Sequence, residues 1–260
     1  MNAETIAAGE HAAQDLAERQ QWRDAAKALL RVAKAQPRKL ERWLQIAQWQ
    51  RQGGNAREAA ETLETALRLN ARKSKPLSSR GELELRQALC EAHLESQNWD
   101  AAIEACKSLL EIAPGHHFVR EMLATAYLQT GELPLAEQVM RALLQDSPRD
   151  PFHRLRLATL LQLQGKLGDA TREFERVLFL YPDFPLAAEA RDALETLDRM
   201  QTQQVLIMAS EQLTFRRELE TDMNSALEAL GFYLSESGFD SLKHIIADGE
   251  PGNEPRSFIH

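Results

Sequence analysis

The chain contains an internal repeat of 34 residues, and this period constrains its fold more than any other feature. Three segments of that length follow one another without a gap from residue 83, and they begin with LELRQALC, HFVREMLA and PFHRLRLA. A fixed period of this length indicates stacked supersecondary units that bury their apolar faces against their neighbours. Four columns of matching residues define the repeat: Leu89, Leu123 and Leu157; Cys90, Ala124 and Ala158; Ala102, Ala136 and Ala170; and Pro114, Pro148 and Pro182.

Each column has a physical reason. Two antiparallel helices joined by a short turn pack closely only where their side chains are small, so the alanine and cysteine columns mark helix contacts. Gly131 and Gly165 stand where the first helix of a unit must end, because glycine adopts the left-handed conformation without strain. Proline cannot continue a helix, so the proline column separates one unit from the next. Each repeat is therefore predicted to be a helical hairpin.

The same pattern extends towards the N-terminus and adds two further repeats. Their matching positions are Ala12, Ala13, Leu16, Ala25, Leu29, Val32 and Pro37, then Trp43, Ile46, Ala47, Ala59, Leu63 and Ala66. These residues, with the run WLQIAQWQRQGGNAREAAETLETALRLN, resemble the tetratricopeptide-repeat family over residues 6–184. The resemblance implies an all-α fold: a right-handed helical solenoid of about five repeats over residues 1–184, with a C-terminal helical cap.

Four segments depart from the repeat. Residues 74–82 are rich in serine, proline and glycine, and they are expected to loop out of the stack as a tolerated insertion, a hinge or a binding loop. Residues 185–200 are predicted to form a capping helix over the last repeat. Residues 201–248 carry apolar residues at helical spacing and predict a hairpin of one long and one short helix. Residues 249–260 are expected to be disordered.

The composition restricts the class of partner. Lys and Arg number 31 against 39 Asp and Glu, a net charge of −8, and no basic stripe is present, so a nucleic-acid partner is not expected. Cys90 and Cys106 fall on inward columns, where buried thiols are expected rather than a redox pair or a disulfide framework. No apolar run is long enough for a membrane span or a signal peptide, which favours a cytoplasmic protein.

The resemblance also implies where a partner would bind. In tetratricopeptide-repeat proteins the concave surface is lined by the first helix of each repeat. The corresponding residues here are Glu10, Gln14, Leu44, Gln48, Arg51, Glu84, Gln87, Glu91, Phe118, Glu121, Thr125, Phe152, Leu155 and Thr159. Because this lining is mostly acidic, amide or apolar, it predicts a peptide with basic and apolar residues, with Phe118, Phe152 and Leu155 as apolar anchors. A clamp for a chaperone carboxylate tail would need Lys, Arg and Asn.

Arg86, Arg120 and Arg154 form a further column at the repeat spacing. Arginines in register could form a ladder that binds an anionic ligand. Alternatively, their stems could cover apolar helix surface while the guanidinium groups meet nearby carboxylates. The sequence is compatible with both interpretations.

These features favour a non-catalytic adaptor or scaffold that binds a peptide segment. No cofactor, metal or catalytic residue is expected, since no phosphate loop, nucleophile elbow or zinc-binding helix motif stands in a suitable context. An alternative comes from the run FRRELETDMNSALEALGFYLSESGFDSL. This run resembles leader regions of ribosomally made, enzymatically modified peptides, and it is also similar to the small helical domain of extradiol dioxygenases. The leader resemblance implies a carrier whose C-terminal segment is recognised by a peptide-modifying enzyme.

Overall fold

The computed structural model describes residues 3–71 and 79–248 of the chain. Every regular element in these two ranges is an α-helix, and the expected all-α fold is confirmed. The helices are α1 (Ala3–Glu18), α2 (Trp22–Ala35), α3 (Leu40–Gln52), α4 (Ala56–Ala71), α5 (Ser79–Glu95), α6 (Trp99–Ile112), α7 (His117–Gln129), α8 (Leu133–Asp146), α9 (Pro151–Leu163), α10 (Leu167–Leu180), α11 (Pro185–Glu211), α12 (Leu213–Thr221), α13 (Met223–Ala229) and α14 (Glu236–Asp248).

The insertion expected at residues 74–82 is only partly described. Residues 74–78 lie outside the described residues, as does the tail expected to be disordered, 249–260. The last four residues of the insertion belong to α5 and not to a loop. Helix is favoured there because Glu82 accepts a hydrogen bond from Arg86, one turn further along, with a distance of 2.9 Å from Nε to Oε1.

The chain forms two compact units, Met1–Val139 and Met140–His260, and the division falls within α8. In the first unit each helix packs against the next one from α1 to α7, and α5 also contacts α3 and α7. The first helices of successive repeats therefore lie side by side. Stacked helical hairpins require this packing, because each hairpin buries one face against its neighbour.

The five predicted repeats correspond to five helix pairs, from α1–α2 to α9–α10. Their small-residue columns are buried, as the repeat register predicts. The residues at these positions are Cys90, Ala124 and Ala158, at most 5% exposed, and Ala102, Ala136 and Ala170, which are fully buried. Small side chains at these points let paired helices approach closely.

All five repeats turn through a residue in the left-handed conformation, at the same position of the repeat. The φ angles are 58° at Gln20, 74° at Gly54, 57° at Gln97, 79° at Gly131 and 72° at Gly165. The following amide closes the helix end; in the third repeat the N–H of Asn98 donates to the carbonyl of His93 at 2.9 Å. Two repeats thus use glutamine where a left-handed backbone favours glycine.

Gln20→Gly and Gln97→Gly are each expected to raise the free energy of unfolding by about 0.5–1 kcal/mol, since glycine adopts the left-handed conformation without strain. Denaturant unfolding measures the change. The reverse variant, Gly165→Gln, serves as the control and should lower stability by a similar amount. Unfolding of the Gln97→Gly variant at a lower denaturant concentration than the parent would contradict this account of the turn.

The C-terminal helices differ from the expected cap and hairpin. Helix α11 runs for 27 residues without a break, so no helix boundary lies near residue 200. The long helix expected after that point is instead divided among the end of α11, α12 and α13. Gln212 makes the first break with an extended backbone. Asp222 makes the second, because its carboxylate accepts the amide N–H of Ser225 at 3.1 Å and caps α13. The expected short helix is present as α14.

An apolar core holds these C-terminal helices together. Helix α11 packs against α10, α12 and α14. The buried residues of this core are Val205, Phe215, Leu219, Ala226, Leu227, Phe232 and Leu242. The C-terminal segment is therefore a small helical bundle built on the second half of α11.

Buried polar side chains form hydrogen bonds with the segment between α13 and α14. Asp198 on α11 accepts the amide N–H of Ser235 at 2.8 Å and also its hydroxyl. The side-chain amide of Gln201 accepts the N–H of Tyr233 at 2.7 Å and donates to its carbonyl at 2.9 Å. Thr171 on α10 donates to the same carbonyl at 3.2 Å. Because buried polar groups are costly without partners, these bonds determine where α14 begins.

Candidate functional site

The first helices of the second, third and fourth repeats form one face of the first unit, since α5 contacts both α3 and α7. Between α3 and α5 this face holds a cavity of about 620 Å³. Its lining residues are Leu44, Ala47, Gln48, Arg51, Gln52, Ala88 and Glu95. The cavity thus brings together three residues expected to bind a peptide, Leu44, Gln48 and Arg51.

A cluster of charges borders this cavity. Arg51 forms ion pairs with Glu91, at 2.7 Å from Nη1 to Oε2, and with Glu95, whose Oε2 accepts from Nε at 2.8 Å. Gln87 donates to the other oxygen of Glu91 at 3.0 Å. Hydrogen bonding with Glu95 raises the pKa of Arg51, and the bond with Glu91 adds to it while burial opposes both. Two carboxylates share one guanidinium, so the cluster keeps a net negative charge.

The other expected groove residues of this unit lie on α5 and α7. Glu84 is exposed and pairs with Arg80 at 2.9 Å. Phe118, at the start of α7, is 47% exposed. Glu121 is half-buried, and the hydroxyl of Thr125 donates to its backbone carbonyl at 2.9 Å. Phe118 therefore presents the apolar surface, whereas the hydroxyl of Thr125 is already used within its own helix.

In the second unit, Phe152 is 53% exposed and contacts Phe184 edge to face, with ring centroids 5.8 Å apart. Leu155 is only 5% exposed, so its interpretation as an apolar anchor is wrong. Helix α9 packs against both α10 and α11, which leaves less of its surface open than the repeat pattern implies. Thr159 is exposed, and its hydroxyl donates to the carbonyl of Leu155 at 3.1 Å.

Phe184 was missed by the sequence reasoning. It lies directly before α11, where the repeat pattern ends, and a periodic register assigns it no role. The signal that could have found it is the Phe-Pro pair at 184–185. Proline favours the first position of a helix, so the residue before it lies at a helix start beside the previous repeat.

Two arginines of the column, Arg120 and Arg154, bond the turns between repeats. Arg120 donates to the carbonyl of Pro114 at 2.9 Å, and Arg154 donates to that of Pro148 at 2.7 Å. Trp43, at the same repeat position, donates to the carbonyl of Pro37 at 3.0 Å. Each side chain thus bonds the carbonyl six residues earlier, which would otherwise remain open where one helix ends.

Arg86 and Arg154 also meet carboxylates, as the second interpretation of the column requires. Arg86 bonds Glu82, and Arg154 pairs with the buried Glu173 at 2.6 Å. The guanidinium groups of both arginines are thus paired with carboxylates of the protein itself.

Cys90 and Cys106 are both fully buried in the third repeat. A hydrogen bond between the two thiols raises the pKa of Cys106, and burial raises it further. Since the thiolate is the reactive form, the raised pKa keeps Cys106 unreactive. The two residues therefore pack as small apolar side chains.

No helix within residues 3–71 and 79–248 is both long and apolar enough to cross a membrane.

Two stretches of the chain match tetratricopeptide-repeat family models, residues 44–117 and residues 93–156. No curated protein matches the chain significantly. Among solved structures, the chain resembles MamA from Desulfovibrio magneticus RS-1, with 14% identity, a TM-score of 0.56 and coverage of 70% of this chain and 98% of that one. It also resembles YrrB, described as a TPR protein with an unusual peptide-binding site, with 14% identity, a TM-score of 0.54 and coverage of 71% and 90%.

The similarity to these solved structures is a similarity of fold. It agrees with the helix pairs, the buried small-residue columns and the left-handed turns. The matches to the family models identify the repeat from its sequence, and the solved structures have the same fold. Residues 44–156 therefore carry tetratricopeptide repeats, and the chain has the fold of a helical solenoid.

Proposed function

We propose that this protein is a non-catalytic adaptor whose first unit binds a peptide segment on the face formed by α3, α5 and α7. The observation that carries the proposal is the cavity between α3 and α5, whose lining combines apolar residues (Leu44, Ala47 and Ala88) with polar and charged ones (Gln48, Arg51, Gln52 and Glu95). A concave site with apolar walls and a few polar groups is the usual form of a ligand site. The repeat family supports a general role in protein interaction.

The charges of this face favour a partner with basic residues. Arg51 offsets one of the two carboxylates of Glu91 and Glu95, and one negative charge remains beside the cavity. Arg80, one helical turn earlier, offsets the charge of Glu84, so the net charge beside the cavity comes from Glu91 and Glu95. A peptide with lysine or arginine next to apolar residues would therefore complement the face.

The peptide-binding role of YrrB, as its description states it, is consistent with this proposal but is a property of that protein. The apolar anchor for this chain is Phe118, the exposed aromatic side chain on α7. Phe152 is a second candidate anchor, in the second unit, where Phe184 extends its aromatic surface.

The test uses the full chain and two fluorescent probe peptides, one of alternating lysine and leucine and one of alternating glutamate and leucine. The lysine peptide is expected to bind more tightly. Phe118→Ala should weaken it by about 30-fold, the equivalent of about 2 kcal/mol for an aromatic anchor, at every salt concentration. Glu84→Lys with Glu121→Lys should weaken it mainly at low salt, because exposed charges are screened.

The matched control is Phe179→Ala, which removes an equally large side chain that is 85% exposed on α10. Phe152→Ala, tested separately, reports whether the second unit contributes. Circular dichroism must show that all variants are folded. Equal binding by the Phe118→Ala variant and the parent would exclude this face as the peptide site.

A further inference from the structure

Arg51 spans the gap between the first helices of the second and third repeats. It lies in the last turn of α3, and its guanidinium reaches two carboxylates of α5, those of Glu91 and Glu95. Arg51 and Glu95 both line the cavity of about 620 Å³ between these helices. A cation of the chain itself thus occupies the acidic part of the face proposed to bind a basic peptide.

The guanidinium meets the two carboxylates in different ways. Its Nε donates to one oxygen of Glu95 at 2.8 Å and its Nη2 donates to the other, which makes a two-point contact. Its Nη1 donates to Glu91 at 2.7 Å, and Gln87 donates to the remaining oxygen of Glu91 at 3.0 Å. Hydrogen bonding with Glu95 is the main cause of the raised pKa of Arg51. Glu95 is therefore the principal partner, through a two-point contact that a guanidinium makes and an ammonium group does not.

The contact with Glu95 is accessible from the cavity. The side chain of Glu95 is 45% exposed and that of Arg51 is 28% exposed. Ion pairs that water can reach contribute little to stability, because water competes for both charges. After release from Glu95, Arg51 would remain beside the C-terminus of α3, where the helix dipole and the last backbone carbonyls favour a positive charge. The exchange of one guanidinium for another at Glu95 therefore costs little free energy.

We propose that Arg51 is an internal competitor for the carboxylate of Glu95, and that a partner peptide binds this face by placing an arginine there in its stead. This inference rests on the proposed function, and it specifies which basic residue the peptide carries. A partner's arginine reproduces both bonds to Glu95, whereas lysine brings a single ammonium nitrogen. Arg51 thus shows which side chain the site accepts, and its presence lowers the affinity for the partner.

The test uses the full chain and two fluorescent peptides that differ only in their basic residue, one of alternating arginine and leucine and one of alternating lysine and leucine. The parent protein is expected to bind the arginine peptide about fivefold more tightly. Equal binding of the two peptides would overturn this inference and leave the proposed function standing. Binding of neither peptide would overturn the proposed function, and this inference with it.

Variants of Arg51 separate competition from an effect of charge alone. Arg51→Met removes the competitor and should tighten binding of the arginine peptide by about tenfold at low salt. Arg51→Lys keeps the charge but loses the two-point contact, so it should tighten binding by about threefold. Parent-like binding by the Arg51→Lys variant would assign the effect to net charge and contradict the competition. Weaker binding by a folded Arg51→Met variant would show that Arg51 helps to form the site, which would also overturn the proposal.

Arg57→Met is the matched control, because it removes the same charge from α4. Arg57 is 90% exposed, pairs with Glu61 at 3.7 Å and does not line the cavity. This variant should bind the arginine peptide as the parent does. Glu95→Gln should bind the arginine and lysine peptides equally, since the two-point contact is lost. A preference for arginine that persists in the Glu95→Gln variant would place the partner's arginine elsewhere and contradict the assignment.

Nuclear magnetic resonance of the parent protein measures the exchange without any substitution at the site. The Nε–H signal of Arg51, identified by its absence from the spectrum of the Arg51→Lys variant, should be protected from solvent exchange while Nε donates to Glu95. Saturation with the arginine peptide should remove this protection. A signal that stays protected and unshifted in the saturated complex would show that Arg51 remains on Glu95, and the proposal would then be wrong.

Discussion

Gly238→Ala should displace α14 from α11 and lower the free energy of unfolding by about 1–3 kcal/mol. A Cβ atom at this position would lie 2.3 Å from the carboxyl carbon of Asp198. That carboxylate cannot rotate away without cost, because it accepts the N–H and hydroxyl of Ser235, and a buried N–H without a partner is itself destabilising. Denaturant unfolding measures the loss, and limited proteolysis reports whether α14 becomes accessible.

Gly115→Ala is the matched control for this substitution. A Cβ at Gly115 would have no neighbouring atom within 4 Å, and its backbone is not left-handed. The same methyl group should therefore change stability little there. If both alanine variants unfolded at the same denaturant concentration as the parent, the close packing of α14 on Asp198 would be contradicted.

Ala136→Leu and Ala170→Leu are each expected to destabilise the protein by about 1–3 kcal/mol, because added methylene groups have no space in a closely packed helix contact. Both alanines are fully buried, and they occupy the same position in successive repeats. The midpoint of thermal unfolding and the free energy from denaturant unfolding both measure the effect. Binding of the probe peptides should change only as far as the folded fraction falls.

Ala188→Leu controls for leucine itself, since Ala188 is exposed within α11. This variant should match the parent, because leucine is a good helix former and no neighbour is displaced. Parent-like unfolding of both buried variants would show that the 34-residue columns do not describe the helix contacts.

The repeats could be predicted from the sequence because their packing is local and periodic. A small residue at Ala102 meets the same requirement as one at Ala136, so one register describes every unit. The register also locates the left-handed turn, but it did not anticipate glutamine there. Gln20 and Gln97 adopt the conformation that glycine adopts elsewhere. In each case the N–H of the next residue donates a hydrogen bond to a carbonyl of the preceding helix, and this bond requires the left-handed turn.

The C-terminal bundle could not be predicted in the same way. The ends of its helices depend on single contacts, such as the cap that Asp222 forms for α13. The spacing of the apolar residues hardly changes at these points, so the sequence pattern does not reveal the helix ends. Helix α9, which carries the buried Leu155, likewise packs against α11, a helix outside the repeat pattern. The groove residues expected on α3, α5 and α7 are at least partly exposed, whereas Leu155 in the last repeat is buried.

The leader-like interpretation of the C-terminal run has less structural support than the adaptor. A leader is recognised as an accessible segment, whereas Phe215, Leu219, Leu227 and Leu242 of this run are buried in one core. A modifying enzyme would have to open the bundle before reading these residues, at the cost of their burial.

Helix α11 has a consequence for how the molecule loses its structure. A solenoid of repeats opens from its ends, because a terminal repeat has only one neighbour. Here the last repeat and the bundle share a single continuous helix of 27 residues, which contacts α9 and α10 as well as α12 and α14. Fraying at this end would have to break both sets of contacts together. We therefore expect the helices from α10 to α14 to open as one cooperative block, so that amide protons of α10 and α14 exchange with solvent at similar rates.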